Sequence, residues 1–155
     1  MLATMLRVIA TVLAAADVGS RVAEVLGAAP IKRLPPETLA RVQHERIGSA
    51  GRTLPARRVA LLVALLARAL FATRTSRERS LVLAAFAAFA GGAYTHGRRV
   101  VPRERSIAGW DVESPPADWQ DQRDRLLSAR ALGTGGDVVA LILLAMAGEW
   151  GAQAP

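Results

Sequence analysis

The feature that most constrains the fold is a set of helical segments that have no polar face. Apolar runs lie at 8–18, 59–71, 81–94 and 138–147, and Arg68 interrupts the second of them. An outer helix of a water-soluble bundle needs a polar stripe facing solvent, and a chain of 155 residues is too short to bury every helix centrally. Lipid can surround such helices. We therefore predict an all-α, integral membrane protein built as an antiparallel four-helix bundle.

The predicted bundle forms a single transmembrane domain over residues 1–155, since a spanning helix needs about 20 residues. Arginines or tryptophan at the segment ends set the predicted spans at about 6–26, 54–73, 78–97 and 131–150. The first run follows Arg7 and contains three alanines that a signal peptidase would accept, but we predict a retained first span. A soluble bundle is the alternative, because each run taken singly also suits a buried helix.

Composition narrows the classes of partner. Hydrophobic residues make up 52% of the chain and aromatic residues 5%, a balance dominated by alanine and leucine that favours helices. The net charge of +7 comes mainly from arginines that flank apolar runs, with few aromatics for base stacking. We therefore predict membrane lipid as a partner and no nucleic acid. The absence of cysteine excludes disulfides and thiolate metal sites.

The connections between the predicted spans differ in length, which makes the two ends of the bundle unequal. Two long loops, at 27–58 and 96–130, fall on one side, and a tight basic turn at 73–79 falls on the other. We expect the bacterial cytoplasmic membrane, with the long loops in the cytoplasm. Alternating helix directions bring most polar residues to the long-loop end, and any ligand site should lie there. These residues are Asp17, Arg21, Glu24, His44, Tyr94, His96, Arg123 and Asp137.

Charged residues within predicted spans are candidates for that site. Asp17 and Arg21 are four residues apart on one helix face, where they can pair, bind a substrate or mark the helix end at the headgroups. Asp137 follows a Gly-Thr-Gly-Gly stretch and precedes ten uncharged residues. It is predicted either as a general base or as a structural residue that pairs with Arg21 or Arg130 or caps its helix.

The two histidines have weaker signals. His96 follows the third span, where it suits either the helix dipole or acid–base catalysis, and His44 suits either a solvated helix or substrate binding. Without a carboxylate motif nearby, neither indicates a metal site, and we predict no metal and no cofactor. The small residues Ala84, Ala88 and Gly92 recur at four-residue spacing and predict close helix packing.

The second long loop is the most individual part of the sequence. It carries Trp110, the segment Pro-Ala-Asp-Trp ending at Trp119, and then Arg123 and Arg125. This pattern resembles the anthrone oxygenase-like membrane family, long catalogued as a domain of unknown function. Its members are four-helix membrane proteins in which a Trp is followed by a Pro-x-Asp-Trp segment and by arginines before the final span. The layout is similar over nearly the whole chain, but the specific part of the resemblance is 110–125.

The sequence departs from the family pattern at positions where the resemblance would place functional residues. Family members often have a second Trp, a His and an Arg before or in the final span, and these places hold Leu126, Arg130 and Gly133 here. An Asn expected beyond the third helix is also absent. The resemblance therefore implies the fold more firmly than the activity, and Asp137 and His96 would have to replace the missing groups.

The activity implied by the resemblance is cofactor-free oxidation, by dioxygen, of an aromatic polyketide anthrone or a similar phenolic carbon. Such a reaction needs a base, a positive group for the oxyanion and a dry apolar pocket. The hypothesis assigns the base to Asp137 or His96 and the oxyanion partner to Arg123 or Arg130. The predicted substrate-binding residues are Asp17, Arg21, His44, Tyr94, Trp110 and Trp119.

Two other functions fit the same sequence. One is a cofactor-free cyclase or isomerase of a lipophilic natural product, which would use the same polar end without oxygen. The other is a non-catalytic membrane scaffold whose long loops bind another protein. Assembly into a homo-oligomer is open in every case.

Overall fold

The computed structural model describes residues 1–27, 31–50, 53–111 and 113–152, and within them the chain is all-α, with no strand. A π-helical segment, His96–Val100, joins the fourth α-helix to the fifth, so that 76–108 is continuous helix. The α-helices are α1 (Leu2–Leu26), α2 (Pro36–Ala50), α3 (Thr53–Phe71), α4 (Ser76–Thr95), α5 (Val101–Ala108) and α6 (Trp119–Ala152).

The long helices α1, α3, α4 and α6 pack in a closed cycle in which α1 and α4 each contact both α3 and α6. Contacts along the chain fix their directions. Arg7, near the start of α1, donates to the carbonyl of Ala72 just beyond α3, while Asp17 lies against Arg57 near the start of α3. These helices therefore run antiparallel. The shared core is lined mainly by alanine, leucine and valine around Phe89.

The tight turn between α3 and α4 is fixed by a capping arrangement. The Thr75 hydroxyl accepts from the backbone N–H of Glu78 at 3.1 Å, and the Glu78 carboxylate accepts from the backbone N–H of Arg74 at 2.9 Å. The sequence Thr-x-x-Glu is that of a capping box, and here the carboxylate accepts from the residue before the N-cap. Glu78 is fully buried and also pairs with Arg7 at 3.1 Å and with Arg68 at 3.5 Å. The short-turn end thus holds a buried charge cluster in addition to its surface arginines.

The second long connection, whose prolines predict an ordered loop with short helices over 96–130, is largely helical. The π segment carries the chain past His96, and α5 begins at 101 so that Pro102 falls in its first turn, where the missing N–H is tolerated. The last helix begins at Trp119, at the Pro-Ala-Asp-Trp segment that predicts a helix start, and it runs through the predicted fourth span at 131–150. The loop between them is therefore short, and much of the expected polar end is built from helix.

Helices α2 and α5 lie together beside α6 at the long-loop end. Their contact is a second apolar cluster that contains Leu39, Val100, Ile107 and Leu126, with Trp110 packed at its edge. The sequence Pro-Pro-Glu at 35–37 predicts a helix start, and this prediction is confirmed, since α2 begins at Pro36. This cluster holds α2 against the π segment and the N-terminal half of α6.

Large apolar side chains are exposed on several helices, and several charged side chains are buried beside the apolar core. Large apolar side chains face outward on α1, α3 and α6, as at Val12 (60% exposed), Val63 (62%) and Ile142 (54%). Charged side chains are buried instead: Asp17, Arg58, Arg68, Glu78 and Asp137. An exposed apolar surface of this extent indicates a membrane or a protein partner.

Two helices of the described chain are long and apolar enough to cross a membrane, namely Leu2–Leu26 and the part of α6 at Trp119–Glu149. Helices α3 and α4, which contain the other predicted spans, do not meet that criterion. Charge explains the difference. The arginines near the start of α3 and within it, and the charged first turn of α4, lower the apolarity of these shorter helices.

Candidate functional site

The centre of the long-loop end is a buried guanidinium that joins two buried carboxylates. Arg58 Nη1 lies 3.3 Å from Asp17 Oδ2 and 3.1 Å from Asp137 Oδ2. Its Nη2 donates to Asp137 Oδ1 and, at 3.1 Å, to the carbonyl of Phe89. Because these residues come from α3, α1, α6 and α4, the one side chain links all four helices.

Two further arginines surround the same carboxylates. Arg21 Nε lies 3.3 Å from Asp17 Oδ2 and 3.4 Å from Asp137 Oδ2. Arg57 Nη2 lies 3.3 Å from Asp17 Oδ1 and 2.7 Å from the hydroxyl of Ser20. Together with Arg58, these residues form what we call the central network. Buried ions are tolerated when charge-assisted hydrogen bonds replace water, and here three guanidinium groups serve two carboxylates.

The central network comes close to the backbone of α4 at Gly92. A Cβ atom placed there would lie 2.5 Å from Asp137 Oδ1 and 2.8 Å from Arg58 Nη2. Any side chain at this position would displace the ion pair. At this position of the predicted small-residue face, the missing side chain leaves room for the ion pair as well as for apolar helix packing.

A small cavity lies on the loop side of the central network, where α1, α6 and the π segment meet. Its volume is about 20 Å³, which is room for one water molecule, far below the several hundred Å³ of ordinary ligand pockets. Polar and apolar groups both line it: Arg21, Glu24, Val25, His96, Val100, Ala129, Arg130, Gly133 and Thr134. His96 opens the π segment, and π turns often occur at functional sites.

Arg130 is held at the edge of the cavity by residues from two other helices. Its Nη2 donates to Glu104 Oε1 on α5 and, at 3.1 Å, to Gln43 Oε1 on α2. Gln43 is 1% exposed, and its Nε2 has no partner within the described chain. Helix α2 is thereby joined to Arg130 at the cavity edge by one polar contact in addition to its apolar packing.

The structure brings together only part of the predicted site. Asp17, Arg21 and Asp137 meet in the central network, and Arg21, His96 and Arg130 meet at the cavity. The predicted pairing of Asp137 with Arg21 is present, whereas Arg130 pairs with Glu104. Both oxygens of Asp137 are engaged by the guanidinium groups of Arg58 and Arg21, so the geometry favours its structural role.

The remaining predicted residues lie away from the cavity lining. Tyr94 is 67% exposed with Arg98 over its ring, and Trp110 packs against the second apolar cluster. Arg123 stacks on Trp119 at 5.2 Å and donates to the carbonyl of Lys32 at 2.7 Å. His44 is exposed on α2. These contacts give Trp119 and Arg123 a role in joining the start of α6 to the chain before α2.

Several charged and polar residues at the two ends of the bundle were not predicted from sequence. They are Arg57, Arg58 and Glu104 at the long-loop end, Gln43 beside them, and Glu78 at the other end. One signal was available. Two aspartates within apolar helices need cations on facing helices, and the Arg-Arg pair at the start of α3 lies at the same end of the bundle.

No group of three or more potential metal ligands occurs within the described residues. Comparison with known proteins found no matching family model, no matching curated protein and no matching solved structure.

Proposed function

We propose that the chain is an integral membrane protein whose four long helices span the bilayer as an antiparallel bundle. Support comes from the large apolar side chains exposed on the long helices and from the ion pairs buried between those helices. We expect the protein to stay in the membrane fraction after a carbonate wash at high pH and to be released by detergent. Recovery in the supernatant of the wash would contradict the proposal.

We further propose that the cavity is the site of a membrane-embedded, cofactor-free enzyme that acts on a lipophilic aromatic, polyketide-like molecule. The observation that carries this proposal is the position of His96 in a cavity that also contains Arg21 and Arg130. An imidazole between two guanidinium groups provides a proton acceptor and positive charge for an oxyanion, as the resemblance to the anthrone oxygenase-like family implies.

The chemistry proposed is oxidation of an anthrone-type methylene to a carbonyl. His96 takes a proton from the methylene carbon, and the resulting carbanion gives its electrons to dioxygen with formation of a C–O bond. The peroxide formed takes the proton back from His96, and loss of the second methylene proton with cleavage of the O–O bond releases water and leaves one oxygen atom as the quinone carbonyl. Arg21 and Arg130 hold the neighbouring phenolate oxygen, while Asp137 and Asp17 keep Arg21 in position.

The size of the cavity restricts how a substrate binds. At about 20 Å³ it accepts a hydroxyl-sized group, so the aromatic rings must stay outside or the lining helices must separate. The contact between Gln43 and Arg130 is the polar link that such a movement would break.

The test is oxygen uptake by the membrane-reconstituted protein with an anthrone. Replacing His96 with Ala should lower the rate about 100-fold or more, the usual contribution of a general base. The matched control is His44→Ala, which changes an exposed histidine away from the cavity. Equal rates in the wild type and in His96→Ala would remove this histidine from the mechanism. Turnover without oxygen would favour a cyclase or isomerase.

A non-catalytic scaffold is the second candidate function. It is favoured by the small size of the cavity and by the ion pairs that already engage Arg21, Asp137 and Arg130. A scaffold predicts that His96→Ala folds and inserts normally and changes no reaction of a lipophilic substrate.

A further inference from the structure

A set of arginines lies on the helix that leaves the apolar part of α4. Four arginines, at 98, 99, 103 and 105, follow one another through the π segment and α5. Arg98, Arg99 and Arg105 are exposed. We call these four residues the arginine face.

The four side chains of the arginine face form no ion pair within the described chain. Arg21, Arg57, Arg58, Arg123, Arg125 and Arg130 all form ion pairs. Within the arginine face the one polar contact is a hydrogen bond from Arg103 to the carbonyl of Arg99. The carboxylate of Glu104, on the same helix, already pairs with Arg130. The face therefore carries uncompensated positive charge.

The depth of the arginine face places it at a bilayer surface if α4 spans the membrane. Tyr94 is the last residue of the long apolar run, and its exposed ring has the Arg98 guanidinium 5.9 Å from the ring centroid. Tyrosine rings collect at the headgroup level of membranes, and arginine beyond them meets lipid phosphates. Apolar side chains lie on one side of this level and unpaired cations on the other.

We propose that the arginine face binds the headgroups of anionic phospholipids, with Tyr94 and Arg98 at the level of the phosphates. This inference rests on the membrane assignment above and is independent of any catalysis. It orients the protein, because it places the long-loop end against the leaflet richer in anionic lipid, which is the cytoplasmic one. Charge complementarity selects an anionic over a zwitterionic lipid.

The experiment compares the protein in nanodiscs of phosphatidylcholine alone and of phosphatidylcholine mixed with phosphatidylglycerol. Native mass spectrometry counts the retained lipids, and the wild type should retain phosphatidylglycerol preferentially. The double variant Arg98→Gln and Arg99→Gln should lose this preference, with affinity falling about fivefold for each arginine removed. High salt should weaken the wild-type preference in the same way.

The matched control is Arg125→Gln, which removes the same charge at the same end from an exposed arginine that is paired with Asp121. It should leave the lipid preference unchanged, and Arg98→Lys with Arg99→Lys should restore it. If the double glutamine variant folds poorly, Arg105→Gln gives the same test with an exposed side chain. Wild type without preference, or a variant that keeps it, overturns the inference. Extraction by the carbonate wash would instead contradict the membrane assignment.

Discussion

The guanidinium of Arg58 lies against the carboxylate of Asp137 with 5% and 0% of the two residues exposed. The pair joins α3 to α6 in the interior of the helices, and the second carboxylate of Asp17 lies 3.3 Å from the same guanidinium. Removing one partner of such a pair leaves a buried charge without compensation, which costs more than the pair itself contributes. Stability should therefore depend strongly on Arg58.

Arg58→Met should lower the free energy of unfolding by about 3–5 kcal/mol, because two buried aspartates lose their shared cation. Thermal unfolding in detergent measures the change. Arg57→Met is the control, since this neighbouring side chain is 35% exposed and contacts Asp17 alone of the two aspartates. Similar losses in both variants would show that the buried bridge has no special role.

Removing the charges together should recover stability. The triple variant Arg58→Met, Asp17→Asn and Asp137→Asn contains fewer buried charges, and neutral replacements of buried ion pairs are often nearly as stable as the original. We expect it to be more stable than Arg58→Met alone in the same unfolding measurement. A triple variant less stable than the single one would mean that the aspartates contribute through contacts other than the ion pair.

Much of the fold follows from the apolar runs in the sequence and from the positions of its prolines. The apolar runs predict the four long helices, and the prolines before 37 and before 119 predict the starts of α2 and α6 within a few residues. Asp17, Arg21 and Asp137 were predicted to converge because alternating helix directions place them at one end. Which arginines pair with these aspartates was not predictable from the sequence. Arg58 and Arg57 are adjacent in sequence but differ in burial, and the rotation of α3 decides which faces the core.

Helix continuation beyond His96 was also not predictable from local signals. Pro102 and two glycines favour a loop there, yet the π segment absorbs the irregularity and α5 continues to Ala108. The interior contacts of Val100 and Ile107 with α2 and α6 stabilise this helix, so tertiary packing decides the outcome.

Gly92→Ala tests how tightly the central network fits against α4. The added methyl group would lie 2.5 Å from Asp137 Oδ1, so the ion pair must shift, and we expect a loss of about 1–3 kcal/mol in unfolding free energy. Gly91→Ala is the matched control because nothing lies within 4 Å of its Cβ position. Alanine favours helix over glycine by about 1 kcal/mol, so the control should be neutral or stabilising. Two variants of equal stability would contradict the close approach.

The buried cluster at the short-turn end provides a test that is independent of the proposed site. Glu78→Gln removes the carboxylate shared by Arg7 and Arg68 and leaves the Arg68 cation buried without a counter-ion. Since Arg68 is 1% exposed, the expected loss is about 3–5 kcal/mol in unfolding free energy. Thr75→Ala removes the adjacent helix cap alone and should cost about 1 kcal/mol. Because Glu78 is far from the cavity, any reaction at His96 should persist in the folded fraction of Glu78→Gln, and its loss there would show that the two ends are coupled.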